Sequence, residues 1–110
     1  EHDSIVAYTS DLPHIMAVSL VNSDSLNDNT KYFIAGSFRD ATRVADINAA
    51  LWKELFLLNK ENVLAEISRF QDQLNTWSQA LKNEDEPKLI AMMEKAKQQR
   101  KDLFNAKNYR

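Results

Sequence analysis

The chain has 110 residues, of which 44% are hydrophobic and 27% charged, and its formal net charge is −2. This length suits one compact domain, and the slightly acidic balance excludes the broad basic surface that drives nucleic-acid binding. One glycine and two prolines leave too few turn-forming residues for a β-sandwich or barrel, so the composition favours an all-α fold.

The chain contains no cysteine, which excludes disulfides, thiolate metal sites and a cysteine nucleophile. This composition fits a reducing compartment, and we expect a cytoplasmic protein. No uninterrupted apolar run approaches ~18 residues and no signal-peptide pattern is present, so we expect neither a membrane span nor secretion. The sequence begins with Glu1 rather than Met, in a segment that already resembles structure, so we expect part of a longer protein.

Residues 4–21 are apolar on nearly every side, which is typical of a buried helix. Asp3 or Ser4 can cap its start. Pro13 falls in the middle, where it removes a backbone hydrogen bond and costs about 3 kcal/mol in an ordinary helix. We predict one helix kinked at Pro13. The alternative is a second helix that begins there with Asp11 as its N-cap.

The polar segment 23–29 predicts a loop, and Thr30 can cap a short helix after it. Gly36 interrupts this helix, which resumes over residues 38–45. A lone glycine suggests either a positive φ or a close approach to another backbone. Asn48 can cap the next helix, which carries the apolar residues Leu51, Trp52, Leu55, Phe56 and Leu58. Core packing is the default interpretation of Trp52 and of Trp77 in the helix after it.

The clearest periodicity begins after Asn59 and predicts a long helix. Its apolar residues recur at alternating spacings of four and three, as in the a/d seam of a coiled coil. They are Val63, Ile67, Phe70, Leu74, Trp77 and Leu81. Residues 82–86 break the pattern, and Pro87 suits the first turn of a final helix that ends near residue 105. The total is five or six helices in one domain.

Ser10 and His14 are four residues apart and share one helical face. A serine beside a histidine can act as a nucleophile and its base, but no third, orienting group occurs at a recognisable spacing. The alternative is a serine that hydrogen-bonds its own helix and a partly buried histidine whose polar atoms are satisfied.

Arg39 and Arg43 also share a face, and an arginine fork is well suited to gripping a carboxylate at two points. The alternative is a surface ion pair between Asp40 and Arg43, which would contribute roughly 0.3–0.5 kcal/mol. His2 and His14 are too far apart to indicate a metal site, and no metal-binding motif is present, so we expect no metal.

Two stretches resemble the C-terminal domain of prephenate dehydrogenases. Residues 2–21, HDSIVAYTSDLPHIMAVSLV, resemble the family helix HD-xxx-A-xx-S-H-L-P-H-xx-A-xx-L-V. Residues 35–53, AGSFRDATRVADINAALWK, are similar to the family pattern AG-x-F-[RK]-D-x-T-R-[IV]-A…N-x-x-[LM]-W. The following FLLNKENVL is similar to a helix junction of the family, so the resemblance covers about the first 65 residues.

The resemblance implies a C-terminal helical dimerisation and substrate-binding domain over residues 1–110, similar to that of 6-phosphogluconate dehydrogenase. Such domains form an intertwined homodimer and follow an N-terminal Rossmann domain, which is absent from this sequence. The single glycine cannot form the GxGxxG loop of a dinucleotide site. The implied reaction is oxidative decarboxylation of prephenate to 4-hydroxyphenylpyruvate with NAD or NADP, in tyrosine biosynthesis, with tyrosine as a possible inhibitor. Because the catalytic histidine of the family lies in the Rossmann domain, we expect this fragment alone to be inactive.

The resemblance also assigns site residues within the cleft between the two domains. His14 matches a histidine that faces substrate or tyrosine, and Arg43 matches the arginine expected to hold a prephenate carboxylate. Asp40 matches an acid that acts across the dimer interface. The implied substrate-binding residues are His14, Arg43, Ser10, Gly36 and Trp52.

Three positions depart from the family pattern. Asp11 replaces the first histidine of SHLPH, Ser37 replaces a second glycine, and Ala49 replaces a proline. The first departure is expected to alter substrate choice or inhibition. Two alternatives remain at this point: arogenate as the substrate, or a non-enzymatic helical interaction module whose a/d seam pairs with a partner.

Overall fold

The computed structural model describes residues 1–105, and every regular element in that range is helical. This confirms the predicted all-α fold. The five helices are α1 (His2–Val21), α2 (Gly36–Thr42), α3 (Ala49–Leu58), α4 (Lys60–Lys82) and α5 (Glu86–Asn105). Short 3₁₀ turns occur at Thr30–Tyr32 and Arg43–Ala45.

Helix α1 continues through Pro13, so the prediction of one helix is correct. The turn Ala7–Asp11 is a π-helix, and the Leu12 N–H closes it by donating to the Ala7 carbonyl, five residues back. Pro13 follows directly and has no N–H to give, so the wider turn lies where the α-helical ladder is already interrupted. Asp11 makes no side-chain cap, and the alternative of a new helix at this point is wrong.

The predicted caps at the start of α1 and of the first 3₁₀ turn are also wrong. Helix α1 begins before Asp3, and neither Asp3 nor Ser4 caps it; the Ser4 hydroxyl instead donates to the Glu1 carbonyl at 2.8 Å. The Thr30 hydroxyl accepts from the Asn27 N–H at 2.9 Å, so it stabilises the preceding loop rather than the turn that follows.

The Leu12–Val21 part of α1 packs against α2 and the 3₁₀ turn Arg43–Ala45. The predicted cap of α3 is confirmed, because the Leu51 N–H donates to Asn48 Oδ1 at 3.1 Å. This cap fixes the first turn of α3, where the Trp52 N–H also donates to the Asn48 carbonyl at 3.0 Å. Trp52 is therefore held one turn inside a well-defined helix start.

The predicted long helix is confirmed as α4, which extends through two compact units, one formed by Glu1–Arg69 and the other beginning at Phe70. The a/d seam does not become one internal core. In the first unit Val63 is buried, whereas in the second unit Leu74 and Leu81 are 50% and 60% exposed, and Ala80 is buried instead. Leu74 and Leu81 of the seam are thus exposed in the part of the chain that the structure describes.

The junction of α4 and α5 is a Schellman turn with a glutamate at the position that usually holds glycine. Glu84 has φ 51°, its N–H donates to the Leu81 carbonyl at 3.1 Å, and the Asp85 N–H donates to the Ala80 carbonyl at 2.9 Å. Asp85 then caps α5 by accepting from the Lys88 N–H at 3.1 Å. As predicted, a proline occupies the first turn of this last helix.

Helix α1 is long and apolar enough to cross a membrane, contrary to the expectation from the sequence. One such helix is weak evidence for a membrane protein, because the core helix of a soluble protein can have the same length and hydropathy. Only 22% of its most apolar window is buried within the chain. The large apolar side chains that it exposes are Ile5, Tyr8, Met16 and Leu20.

Candidate functional site

A histidine stacked on a tryptophan is the centre of the candidate site. The imidazole of His14 on α1 lies 3.9 Å from the indole of Trp52 on α3, centroid to centroid, with 23° between the ring planes. Phe56, one turn further along α3, continues the aromatic series at 5.5 Å from Trp52. Both members of the stack are half-buried. Trp52 therefore packs against a polar ring at the edge of the fold rather than inside an apolar core.

The orientation of the His14 ring is fixed by its own helix. Nδ1 lies 2.8 Å from the carbonyl oxygen of Ser10, and a carbonyl only accepts, so Nδ1 carries the hydrogen. In the neutral ring the lone pair is then at Nε2. The predicted closeness of Ser10 and His14 is confirmed, but the contact is made by the serine carbonyl. The arrangement is not that of a nucleophilic hydroxyl and its base.

Arg43 lies in the 3₁₀ turn that packs against α1, the helix that carries His14. Its side chain is exposed. Within residues 1–105, the ion pair observed is that of Arg69 with Glu66, at 2.5 Å. The alternative of an Asp40–Arg43 pair is therefore wrong, and the Arg43 guanidinium makes no ion pair within residues 1–105.

Gly36 is the first residue of α2 and does not show the feature predicted for it. Its φ is not positive, and a Cβ at this position would meet nothing within 4 Å. The first residue of a helix has ordinary dihedral angles, so no contact within residues 1–105 requires glycine here. Its assignment to the substrate pocket stays a prediction, as does the assignment of the exposed Asp40 to the dimer interface.

A buried polar cluster next to His14 was not predicted. Asp11 is only 3% exposed, and its Oδ2 accepts from Asn59 Nδ2 at 3.3 Å. The same amide donates to the Asp3 carbonyl at 2.8 Å, and Asn59 Oδ1 accepts from Asn62 at 2.8 Å. In the sequence, Asn59 marks only a break between two helices, and nothing local indicates that it reaches α1.

Three open depressions in the described part of the chain are lined by residues other than the stacked rings and Arg43. Two overlapping ones, of about 430 and 490 Å³, lie along the loop before α2 and share the lining residues Asn27, Asn29, Thr30, Ile34 and Phe38. A third, of about 470 Å³, lies at the α4–α5 junction. Residues 1–105 also hold no group of three or more metal-ligating side chains. None of these three depressions within residues 1–105 is the candidate site.

Comparisons of sequence place the chain among dehydrogenases. Residues 1–95 match the family model described as prephenate dehydrogenase, dimerization domain. The chain is 34% identical over 107 residues to the prephenate dehydrogenase of Bacillus subtilis, covering 94% of this chain and 29% of that protein. It is 35% identical over 89 residues to the cyclohexadienyl dehydrogenase of Zymomonas mobilis, covering 76% of this chain and 30% of that protein.

Two solved structures share the fold. One is A. aeolicus prephenate dehydrogenase in complex with hydroxyphenyl propionate and NAD+, with a TM-score of 0.80, 32% identity, and coverage of 93% of this chain and 37% of that one. The other is Synechocystis arogenate dehydrogenase, with a TM-score of 0.82, 20% identity, and coverage of 93% and 39%. The chain thus spans well under half the length of these relatives. Because the family match extends over residues 1–95 of 110, the chain belongs to the prephenate dehydrogenase dimerization-domain family.

Proposed function

We propose that the full-length protein is an NAD(P)-dependent prephenate dehydrogenase, which converts prephenate oxidatively to 4-hydroxyphenylpyruvate in tyrosine biosynthesis. In this proposal the chain supplies the dimer interface and one wall of the substrate pocket. The observation that carries it is the stack of His14 on Trp52 in a member of this family. The helix that carries His14 also packs against the turn that contains Arg43, which has no ion pair within residues 1–105. Supporting it further, the chain spans only 29% of one relative of known activity and 37% of another, which leaves room for a nucleotide-binding domain.

The chemistry of these side chains suits an aromatic-like ring that carries carboxylates. Prephenate has two carboxylates, and a guanidinium fork such as Arg43 binds a carboxylate at two points. The stacked rings of His14 and Trp52 offer a flat surface for a six-membered ring. The A. aeolicus relative, which binds hydroxyphenyl propionate, holds a ligand of the same kind: a ring with a carboxylate. Arogenate, which differs from prephenate by an amino group, is the alternative substrate within the family.

The nicotinamide cofactor, which accepts a hydride from the substrate, does not fit the residues of this chain alone. The sole glycine begins α2, a seven-residue helix, and no strand within residues 1–105 precedes it to build a phosphate-binding loop. We therefore assign NAD or NADP to the remainder of the protein, as supported by the NAD+ bound to the A. aeolicus relative. No metal enters the proposal, and we expect the isolated chain to be inactive.

The proposed assembly is a homodimer in which a second copy covers α1 and the seam of α4. The family description as a dimerization domain supports this, as does the exposure of large apolar side chains on both helices. A second copy also accounts for the apolar character of α1 without a membrane, because an intertwined helix is buried by its partner. We place the protein in the cytoplasm in this proposal, which its lack of cysteine fits.

Turnover by the purified full-length protein tests the activity. Prephenate and arogenate are each supplied with NAD+ or NADP+, and cofactor reduction is followed by absorbance while the products are identified by mass spectrometry. The proposal expects 4-hydroxyphenylpyruvate from prephenate, and a lower rate when tyrosine is added. Turnover of arogenate alone would select the alternative substrate, and no turnover of either compound would leave the domain as a dimerisation module.

A further inference from the structure

The side chain of Asn59 connects α1 to the junction between α3 and α4. Its amide group uses both hydrogens on α1, one on the Asp3 carbonyl at 2.8 Å and one on Asp11 Oδ2 at 3.3 Å. Its Oδ1 accepts from Asn62 Nδ2 at 2.8 Å. Both ends of the amide are thus engaged, so the three partners together fix its orientation.

The contact between Asp11 and Asn59 joins the same two helical segments as the His14–Trp52 stack. Asp11 and His14 are three residues apart on α1 and lie on one face. Trp52 lies on α3, and Asn59 directly follows the last residue of that helix. Both contacts thus join α1 to the segment formed by α3 and the residue after it, one through a hydrogen bond to a buried carboxylate and the other through a stack of half-buried rings.

We propose that Asp11 and Asn59 form a positioning pair that holds the His14 imidazole against Trp52. The pair sets the distance and rotation of α1 relative to α3, and the Ser10 carbonyl sets the ring within α1. Together they determine where Nε2 of His14 is presented. Contact between Nε2 and the substrate rests on the proposed function. The role of the pair in maintaining the stack is independent of that function.

The essential property of Asp11 in this pair is an acceptor oxygen at a buried position. Replacement of Asp11 by alanine leaves one N–H of Asn59 without its acceptor. Because Asp11 is only 3% exposed, that N–H is left unpaired at a buried position, which is costly. Replacement by asparagine keeps an oxygen of the same reach in the same place, with the amide rotated to accept. The proposal therefore separates Asp11→Ala from Asp11→Asn.

The experiment compares Asp11→Ala, Asp11→Asn and Asn59→Ala in the full-length protein with a Trp77→Phe background. In this background, the difference in near-ultraviolet circular dichroism from a further Trp52→Phe variant isolates the signal of Trp52, which reports a fixed stack. Both alanine variants are expected to lose most of this signal and to raise the KM for prephenate about tenfold, with kcat changed less. Asp11→Asn is expected to stay within about twofold of the parent. Asp72→Ala, which removes an exposed carboxylate from α4, is the matched control and should change neither value.

An unchanged Trp52 signal in folded Asp11→Ala and Asn59→Ala proteins would overturn the proposal, and so would an Asp11→Asn protein as impaired as Asp11→Ala. Far-ultraviolet circular dichroism checks folding, and if Asp11→Ala does not fold, Asn59→Ala at its half-buried position decides alone. If the parent protein does not turn over prephenate, the proposed function fails, while the Trp52 signal still decides whether the pair positions the stack.

Discussion

The imidazole of His14 and the indole of Trp52 lie nearly parallel, with 3.9 Å between their centroids. The two residues belong to different helices and are distant in sequence, so the stack depends on tertiary structure. Each ring is also anchored locally, His14 by the Ser10 carbonyl and Trp52 by the capped start of α3. A polar ring and an aromatic wall are therefore presented together at a fixed place.

The stack should appear as a coupling energy in a double-mutant cycle. We expect His14→Ala and Trp52→Ala to be non-additive in the free energy of unfolding by about 0.5–1.5 kcal/mol, the usual value of an aromatic pair. Denaturant unfolding of the two single variants and the double variant measures it. The matched cycle of His14→Ala with Phe33→Ala should be additive, because within residues 1–105 the exposed Phe33 ring is not stacked on His14. Equal coupling in both cycles would contradict a direct stack.

Gly36→Ala separates stability from ligand binding. Since a Cβ meets nothing within 4 Å and the position is helical, we expect unchanged stability or a gain of up to about 1 kcal/mol. If Gly36 lines the substrate pocket, the same variant binds prephenate more weakly. Thermal unfolding and calorimetric titration of one preparation give both values. A loss of stability would show that the alanine meets an atom outside the described chain, such as one from a second copy.

Glu84→Gly should stabilise the protein. Glu84 has φ 51° in the turn between α4 and α5, and a left-handed conformation costs a residue with a Cβ roughly 1–2 kcal/mol. Glycine avoids this cost but adds freedom to the unfolded chain, so the expected net gain is about 1 kcal/mol. Glu84→Ala retains the Cβ and is the control, for which no gain is expected. Equal stability of the two variants would indicate that the turn is not strained at this position.

Leu20→Asp should weaken the proposed dimer. Leu20 is 44% exposed on α1, and a carboxylate at a contact between two apolar helices is expected to raise the dimer dissociation constant at least about tenfold. Leu26→Asp is the control, because Leu26 is similarly exposed at 48% but lies in the loop after α1. Sedimentation equilibrium measures both. An unchanged dimer with Leu20→Asp would remove this part of α1 from the interface.

The parts of the fold that follow local rules could be predicted from the sequence. Asn48 caps α3 because its side chain reaches a free N–H only three residues away. The four–three spacing from Val63 gives α4 because a helix places those positions on one face, and Pro87 fits a first turn whose N–H groups are unpaired in any case. The family motifs also identified the candidate residues His14 and Trp52, which the fold brings together.

The parts that depend on distant contacts or unusual backbone could not be predicted. The π turn before Pro13 depends on how α1 is packed, and no residue pattern specifies it. Asp11 looked like a helix cap, since the sequence does not show that Asn59 folds back onto it. The lone glycine suggested a positive φ or a close approach to another backbone, yet within residues 1–105 the positive φ is that of Glu84.

Calorimetric titration of prephenate into the full-length protein, comparing Arg43→Ala with Arg39→Ala, tests most directly whether this helical domain lines the substrate site. Both arginines are exposed and neither has an ion pair within residues 1–105, so Arg39 is the matched control. If Arg43 holds a carboxylate, its removal costs about 2 kcal/mol or more, roughly thirtyfold in Kd, while Arg39→Ala leaves Kd within about twofold. Unchanged binding by a folded Arg43→Ala protein would contradict the proposed site and leave the domain as a scaffold for dimerisation.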